Sequence, residues 1–571
     1  MVCLFQRIRF AAIRFAAILL TTCVSTQIAQ GNVEWKAESF NDRAGQVLAV
    51  LGKQLVAPKK VDTDAPPLLA VLPSREERIE QSEYRVRRRK GDPRSINGID
   101  ALRNAWSQLF QPASLERVKF KVVGVELGVD QVKTDVLASL AGSSQNSRCE
   151  AVSKWRITWI DDDDIDGDAK QPLPRIQKIE IREIELVEVD SPGGKAIFSD
   201  QTEALFRNTN SFRQQLQFGQ AHWQRRIEVF HGILNASQNG VSIADVNGDG
   251  WDDLYVCQPG GLPNRLYLQR ADGTVVDATE TWGVDLLDNS HAAIWADLDN
   301  DGDQDLLLTT STALLAFENT GRRCELKGVF KQVQDAYSLA VADYDQNGYL
   351  DVYACGYFPT GADVESLPVP VPYFDARNGG RNVLLQNLGQ WRFEDATASS
   401  GLGQDNRRFS YAAIWIDIDH DADQDLYVAN DFGPDQLFVW NGQQFEEQGS
   451  EFGILHGAFG MSVTAGDVNR DGRDDLYVGN MYSSAGNRVT RQPEFRPGDS
   501  AEQRERFRRL AAGNSLYLNV NGQQLKEQAA SAGVDMGRWS WGANFVDLNN
   551  DGWEDLLVSN GYITGEIPDD L

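Results

Sequence analysis

Short apolar strands separated by polar turns recur along the C-terminal two thirds of the chain. In each unit a strand of apolar or small residues, such as 293–296 or 413–416, precedes an acidic turn, and a second strand, such as 254–256 or 426–428, follows it. A third strand comes next in most units, and segments such as 274–276 indicate a fourth. Four short strands in units of about 50 residues predict the blades of a β-propeller.

The residues before about 196 lack this rhythm. Helical spacing over 97–110 is followed by segments that alternate like strands: 118–126, 132–140, 151–160 and 175–189. This order predicts a smaller α+β domain, which resembles the cone fold of nuclear-transport-factor-like domains. The basic run 85–90 is interpreted as an exposed segment or linker rather than as a site for an anionic partner.

One acidic pattern, D-x-[DN]-x-[DN]-[GA]-x-x-D, stands between the first and second strands of six units. Its positions 1, 3, 5 and 9 are, in chain order, Asp245, Asn247, Asp249 and Asp253; Asp297, Asp299, Asp301 and Asp305; Asp343, Asp345, Asn347 and Asp351; Asp417, Asp419, Asp421 and Asp425; Asp467, Asn469, Asp471 and Asp475; Asp547, Asn549, Asp551 and Asp555. Position 6 is Gly in every copy except the fourth, which has Ala422. Such repetition identifies a structural repeat.

Oxygen ligands at alternate positions of a tight loop predict a site for a hard cation. Side chains at positions 1, 3 and 5 converge when the loop curls, as in the calcium loop of an EF-hand. By the same analogy the backbone carbonyl of position 7 completes the ligand set, contributed by Trp251, Asp303, Tyr349, Asp423, Arg473 and Trp553. The closing carboxylate at position 9 and the flanking strands distinguish the loop from an EF-hand. Because the ligand positions hold no His or Cys, we predict about six Ca²⁺ ions, with metal-free polar turns as the alternative.

These loops and their flanks carry a family resemblance. The region 196–571 resembles the FG-GAP or VCBS repeat propellers and is similar to the head of integrin α chains. The stretches 373–380 and 429–433 resemble the subgroup of cartilage acidic protein and the UnbV proteins. The resemblance implies a secreted, calcium-stabilised, ligand-binding propeller. Because the chain stops just after the sixth hairpin, both six and seven blades remain open.

The N-terminus has the pattern of an exported protein. Three Arg precede the short apolar run 15–20, and small residues near 29–31 supply a cleavage point, so 1–31 is predicted to be a signal peptide. Cys23 allows a lipid anchor as a less favoured alternative. We assign 32–195 to the α+β domain and 196–571 to the propeller, and we expect a secreted, extracellular or periplasmic (cell-envelope) protein with no transmembrane segment.

Four cysteines fall outside the predicted leader, namely Cys149, Cys257, Cys324 and Cys355. They form no disulfide framework, and Cys257 and Cys355 occupy equivalent places in two repeats. Buried thiols are therefore the favoured interpretation. A bridge between Cys324 and Cys355 is the alternative.

Two insertions and one further acidic turn interrupt the repeat. The insertions are 359–381 and 483–513, and the second contains a predicted helix over 501–512 with four Arg. Each is either a working surface or a solvated decoration. Asp162, Asp164 and Asp166 begin the calcium pattern, but Lys170 stands where the closing Asp belongs, so we interpret 161–168 as a solvated turn.

Charge and motifs limit the function. The chain has 83 Asp and Glu against 55 Lys and Arg, a net charge of −28, which disfavours nucleic acid as a partner. H-E-x-x-H, G-x-S-x-G, C-x-x-C and phosphate-binding loops are all missing from the sequence, so we name no catalytic and no cofactor-binding residue. We expect an adhesion, ligand-binding or scaffold protein with a protein or polysaccharide ligand at the propeller face. The alternative is a calcium-dependent lyase or hydrolase acting on an anionic polymer or phosphoester.

Overall fold

The computed structural model describes residues 36–56, 69–80, 84–111, 113–128, 131–161, 172–190, 199–223, 225–227, 239–359, 369–454 and 457–561. The chain divides into two compact units, Met1–Asp200 with Ser484–Arg504 and Gln201–Ser483 with Glu505–Leu571. Among the described residues, no helix is long and apolar enough to cross a membrane. The predicted leader, its Cys23 and the acidic turn 162–170 lie outside the described residues.

The first unit is a six-stranded sheet with two long helices. The sheet order is β1-β2-β6-β5-β4-β3, with antiparallel neighbours, and β1 also pairs in parallel with the start of β6. The elements are α1 (Lys36–Val56), β1 (Leu69–Glu80), β2 (Tyr84–Asn97), α2 (Ile99–Phe110), β3 (Ser114–Leu127), β4 (Val132–Ser143), β5 (Ser147–Ile160) and β6 (Arg175–Asp190). Helices Ser484–Val489 and Ala501–Arg509 lie in the insertion, and the second confirms the predicted helix there.

Alternation along β5 places the core on one face of this sheet. Trp155, Ile157 and Trp159 are buried, whereas the residues between them are only partly buried. Phe40 of α1 packs edge-on against Trp159, with ring centroids 5.8 Å apart, and Trp106 of α2 stacks on Trp155 at 6.1 Å. The predicted helix and four strands are confirmed. The hydrophobic pattern did not predict α1, β1 or β2.

The interpretation of 85–90 as a linker is wrong, because these residues form the middle of β2. Arg88 lies opposite Glu185 of β6, and Lys90 lies opposite Glu183. The Arg88 Nε is 2.5 Å from a Glu185 carboxylate oxygen, and the Lys90 Nζ is 2.6 Å from Glu183. The acidic strand β6 neutralises the basic strand, and a partner about one hundred residues away is invisible to a local charge pattern.

The insertion after the fifth acidic loop is packed into the first unit. Arg488, only 8% exposed, makes a forked pair with Glu38 of α1, with nitrogen–oxygen distances of 3.0 and 2.8 Å. Its Nη1 also donates to the Val122 carbonyl oxygen of β3 at 2.8 Å. A partly buried, bidentate Arg–carboxylate pair is stronger than an exposed single-contact ion pair. The domain bounds 32–195 and 196–571 stay a prediction.

The second unit contains five four-stranded antiparallel sheets and, in the described part of the chain, a two-stranded sixth sheet. The strands are β7 (Val241–Ala244), β8 (Asp253–Val256), β9 (Arg265–Gln269) and β10 (Val275–Asp277); β11 (Ser290–Ala296), β12 (Asp305–Thr310), β13 (Leu314–Asn319) and β14 (Cys324–Phe330); β15 (Ala336–Ala342), β16 (Asp351–Gly356), β17 (Val383–Asn387) and β18 (Phe393–Asp395); β19 (Phe409–Ile416), β20 (Asp425–Asp431), β21 (Gln436–Trp440) and β22 (Phe445–Glu447); β23 (Gly460–Gly466), β24 (Asp475–Asn480), β25 (Ser515–Asn519) and β26 (Leu525–Glu527); β27 (Ser540–Val546) and β28 (Asp555–Asn560). One-turn helices lie at Thr202–Leu205, Gln220–Trp223, Thr279–Trp282, Gly449–Phe452 and Ala529–Ala532, and a π-helix at Phe212–Leu216.

Successive sheets pack as blades. The first strands of neighbouring sheets lie side by side in chain order from β7 to β27. Each interface is apolar: the cluster between the second and third blades, for example, joins Leu307 and Leu314 to Val352 and Leu385. This mainly β, propeller-like arrangement with an α+β N-terminal part confirms the predicted fold class. Six and seven blades both stay open, because the sixth sheet has two strands within the described residues.

The four cysteines outside the predicted leader are free and buried. Burial raises the pKa of the Cys257 thiol to about 12. The predicted buried thiols are confirmed, and the alternative Cys324–Cys355 bridge is not formed.

Candidate metal centre

Each acidic loop joins the first and second strands of one sheet, and its position 9 begins the second strand. Positions 4 and 6 both adopt left-handed backbone, with φ of 70° at Gly248 and 87° at Gly250 in the first loop. The fourth loop has the same turn without glycine, with φ of 64° at His420 and 74° at Ala422. Two left-handed residues curl the loop so that its side chains face inward.

The position-1 carboxylate organises the curl. In the first loop the backbone N–H groups of Asp249 and Gly250 donate to the two carboxylate oxygens of Asp245, at 3.0 and 2.8 Å. The fifth and sixth loops repeat both bonds on Asp467 and Asp547 within 0.1 Å. These bonds hold the loop closed through its own backbone donors.

Positions 3, 5 and 7 continue the curl. The Asn247 side-chain oxygen accepts from the Asp249 N–H at 2.9 Å, and the Trp251 N–H donates to the Asp249 carboxylate at 2.9 Å. Asn469 and Asn549 accept the equivalent bond at the same distance. The role of the position-7 carbonyl as a ligand stays a prediction.

The position-9 carboxylate is buried and ties the loop to the rest of its blade. Asp305 accepts from the backbone N–H of Leu298 at 3.0 Å and from that of Asn319, at the end of the third strand, at 2.8 Å. Burial, followed by the charges of Asp299 and Asp303, raises the pKa of Asp305 to about 7. Asp351 and Asp425 have the same two kinds of backbone donor, and burial raises the pKa of each to about 7.

Three loops gather carboxylate oxygens closely enough to hold a cation. Within each of the following groups one oxygen from every residue lies within 4.8 Å of the others: Asp297, Asp299 and Asp305; Asp343, Asp345 and Asp351; Asp417, Asp419 and Asp425. These are positions 1, 3 and 9 of the second, third and fourth loops. Positions 1, 3 and 9 are not adjacent in the sequence, so it is the curl of the loop that brings these three carboxylates together.

The second and fourth loops also contain buried oxygens that lack a hydrogen-bond partner among the described residues. They are the Oδ1 atoms of Asp297, Asp303, Asp419 and Asp423. Burial, together with repulsion from the neighbouring loop carboxylates, raises the pKa of Asp303 and of Asp423 to about 6. Crowded, partly dehydrated carboxylates with open acceptors are what a hard divalent cation relieves, so the residues fit Ca²⁺.

The first, fifth and sixth loops have Asn at position 3, so an amide replaces one of the three carboxylates that the second, third and fourth loops gather. In the fifth loop the guanidinium of Arg473 forms an ion pair with Asp471 and donates to the Asn519 carbonyl oxygen at 3.0 Å. A basic side chain inside the loop competes with a cation for the same carboxylate. The loops therefore differ in how strongly their composition favours a divalent ion.

Sequence reasoning missed the Asn residues that end three of the third strands. The side-chain amides of Asn319, Asn387 and Asn519 donate to the backbone carbonyls of Val246, Leu298 and Ile418, each at 2.8 Å. Each acceptor is position 2 of an acidic loop in the preceding blade. An Asn at the end of the third strand in several repeats is the signal that would have indicated this contact.

His222 lies in the one-turn helix Gln220–Trp223 and contacts an aromatic ring. The His222 ring stacks on Phe218 with centroids 4.1 Å apart, and its pKa is lowered by slight desolvation and by Arg226 and Arg225. His231 and His456 lie outside the described residues.

The comparisons with known proteins agree with the repeat. The family model described as FG-GAP-like repeat matches residues 245–308 and 417–478, and each match spans two acidic loops. A search of curated proteins gave no match.

Solved structures with similarity to the chain include three proteins. An Agrocybe aegerita lectin that recognises non-reducing terminal N-acetylglucosamine is 15% identical, covers 57% of this chain and 76% of its own, and has a TM-score of 0.33. The V. cholerae biofilm matrix protein Bap1 is 13% identical, covers 51% of this chain and 38% of its own, and has a TM-score of 0.28. The Photorhabdus luminescens Tc holotoxin pore is 14% identical, covers 71% of this chain and 16% of its own, and has a TM-score of 0.22. The chain therefore contains FG-GAP-like repeats in these two segments, which confirms the predicted resemblance, and its bladed, mainly β structure agrees with them.

Proposed function

We propose that this protein is a secreted, calcium-binding β-propeller that binds a protein or polysaccharide ligand and serves in adhesion or as a scaffold. The observation that supports it most is the gathering of three carboxylates within 4.8 Å in the second, third and fourth loops. We propose the 30 loop residues named above as the ligands of about six Ca²⁺ ions. Secretion into the extracellular space or periplasm supplies the calcium concentration that such sites need.

The ions would act as structural ties. Each loop connects the two strands of its blade, and Asn319, Asn387 and Asn519 connect three of the loops to the next blade. A cation that neutralises the loop carboxylates therefore stiffens neighbouring blades together. A rigid set of blades presents its connecting segments as a fixed binding surface.

Calcium-dependent capture tests this proposal. The full-length mature protein is immobilised, offered cell-envelope or matrix polysaccharide and protein fractions, and washed with either Ca²⁺ or chelator. We expect the immobilised protein to retain its ligand only in the wash with Ca²⁺. The triple variant Asp297→Asn, Asp343→Asn, Asp417→Asn should not retain the ligand. Asp252→Asn, which removes a charge at the exposed position 8 of the first loop, is the matched control. Equal retention with chelator and with Ca²⁺ contradicts the proposal.

A further inference from the structure

The sheet of the first unit carries a groove that the acidic loops do not involve. It has a volume of about 550 Å³ and lies where β4 begins and β5 ends. Arg156 and Thr158 line it, and they alternate along β5 with the buried Trp155, Ile157 and Trp159. The groove is therefore on the face of the sheet opposite the apolar core.

Basic side chains dominate the lining. Lys133, Arg156, Lys178 and Arg182 contribute four cations, and Glu180 contributes one carboxylate. The chain as a whole has a net charge of −28, so this local excess of positive charge runs against the average composition. A volume of this size suits a small molecule.

Part of this charge is already neutralised. Arg156 donates to Asp135 at 2.6 Å and also pairs with Glu126, and Lys178 pairs with Glu180. Within the described part of the chain, the Lys133 amine has no carboxylate in ion-pair distance.

The register places the donors around one point. Lys133 of β4 and Lys178 of β6 are the direct cross-strand neighbours of Thr158, one on each side. Cross-strand neighbours on one face of a sheet have Cβ atoms about 5 Å apart, so two ammonium groups flank one hydroxyl. Lys133 and Lys178 are two strand spacings apart, about 10 Å, so an anion that lies over Thr158 is attracted by both ammonium groups.

The electrostatic effect of this arrangement is visible at Glu180. Its pKa is lowered by the hydrogen bond from Lys178 and by the charges of Lys178, Arg182 and Lys133, although desolvation opposes the shift. Asp135, which faces Arg156 and Arg182, and Glu126 are the other carboxylates in contact with these groups.

We propose that this groove binds a small organic anion, whose carboxylate or phosphate group lies against Lys133, Thr158 and Lys178. The side chains of Gln131 and Gln177, joined by a 2.8 Å hydrogen bond, offer further polar contacts at the groove end. Leu69 of β1 is 37% exposed and lies opposite Lys178 of β6. It offers an apolar contact for the rest of the ligand. The site is independent of the proposed calcium-dependent function.

Calorimetric titration of the full-length protein at saturating Ca²⁺ tests the proposal. The probes are phenyl phosphate and benzoate, which distinguish a phosphate from a carboxylate, and neutral benzyl alcohol. We expect at least one of the two anions to bind and benzyl alcohol not to bind. Lys133→Gln, Lys178→Gln and Thr158→Val should each weaken the binding, the two Lys changes by about tenfold, as expected for the loss of one charge-assisted contact.

Lys154→Gln is the matched control, because Lys154 lies on the same face of β5, pairs with Glu183 at 3.4 Å and does not line the groove. Its affinity for the anions should equal that of the unchanged protein. The proposal is overturned by a lack of binding of both anions at millimolar concentration, by equal binding of benzyl alcohol, or by a loss in Lys154→Gln as large as in Lys133→Gln. Calcium-dependent capture should be unaffected by all four variants.

Discussion

Asn319 donates from its side-chain amide to the backbone carbonyl oxygen of Val246, which lies 2.8 Å away in the preceding blade. The backbone N–H of the same residue donates to Asp305, the position-9 carboxylate of its own blade, also at 2.8 Å. One residue thus connects two successive acidic loops. We therefore expect that stabilising one loop also stabilises the neighbouring blade.

Replacing Asn319 by Ala should destabilise the protein. The change removes the bonds to the Val246 and Gln304 carbonyls and leaves the carbonyl of the buried Val246 without this donor. We expect a loss of about 2 kcal/mol in the free energy of unfolding, measured with urea at fixed Ca²⁺. Asn521→Ala, at an exposed turn position, is the control and should change it by less than about 0.5 kcal/mol. Equal effects of the two variants would contradict the assigned role.

The acidic loops could be predicted from the sequence because every residue of a loop lies within nine positions. A local pattern of oxygen side chains with one required turn residue is sufficient to identify such an element. The blades could be predicted for the same reason, since each is built from strands that are adjacent in the chain. The left-handed φ of Ala422 agrees with its place in the pattern, although its residue type does not reveal that conformation.

The contacts between distant segments could not be predicted in this way. Arg88 and Glu185 are far apart in the sequence, and so are Arg488 and Glu38, yet each pair is closer than 3.1 Å. A single sequence gives the charge of each segment but not its neighbour in space. The basic run 85–90 was therefore misread as a linker, and the connection of 484–504 to the first unit was not expected.

Removing calcium should lower the melting temperature. Without a cation, burial and mutual repulsion raise the pKa of Asp305, Asp351 and Asp425 to about 7, which means that their ionised forms are disfavoured in the fold. A bound cation reverses this and adds stability by mass action. Scanning calorimetry with and without chelator at pH 7.5 measures the shift. An unchanged melting curve in chelator would falsify the role of the loops as calcium sites.

The fourth blade should have a pH-dependent stability that comes from Asp435. This residue is 4% exposed and accepts from the Tyr427 hydroxyl and the Asn430 N–H, both at 2.8 Å. Burial raises its pKa from 3.8 to about 6, so the folded state holds this proton more tightly than the unfolded state. The stability that it contributes is fully present below pH 3.8 and is lost as the pH rises to about 6, by at most about 3 kcal/mol.

Asp435→Asn should remove this slope. The equivalent residues of the first and fifth blades are Asn264 and Asn514, which donate to the Tyr255 and Tyr477 hydroxyls at 3.0 and 2.6 Å, so an amide fits the position. Urea unfolding at pH 4, 5, 6 and 7 and fixed Ca²⁺ gives the difference in the free energy of unfolding between the unchanged protein and Asp435→Asn. Every other titrating group is common to both proteins, so a change of this difference with pH comes from Asp435. If this difference in free energy stays constant between pH 4 and 7, Asp435 is not the source of the pH-dependent stability.

Ala422→Gly should tighten calcium binding at the fourth loop. Ala422 has φ of 74°, a left-handed conformation that costs a residue with a Cβ about 1 kcal/mol, and its N–H donates to Asp417 at 3.1 Å. A Cβ added at the equivalent Gly250, Gly302 or Gly472 meets nothing within 4 Å, so the cost is one of backbone conformation and not of crowding. Since a bound ion holds the loop in this curl and a free loop can relax from it, we expect an affinity gain of up to about tenfold.

Gly472→Ala in the fifth loop, where φ is 84°, is the reverse experiment and should weaken its site by a similar factor. Titration calorimetry of both variants, with the unchanged loops as internal references, measures the two effects. If neither affinity moves, the curl is equally strained with and without the ion, and the position-6 conformation does not contribute to calcium affinity.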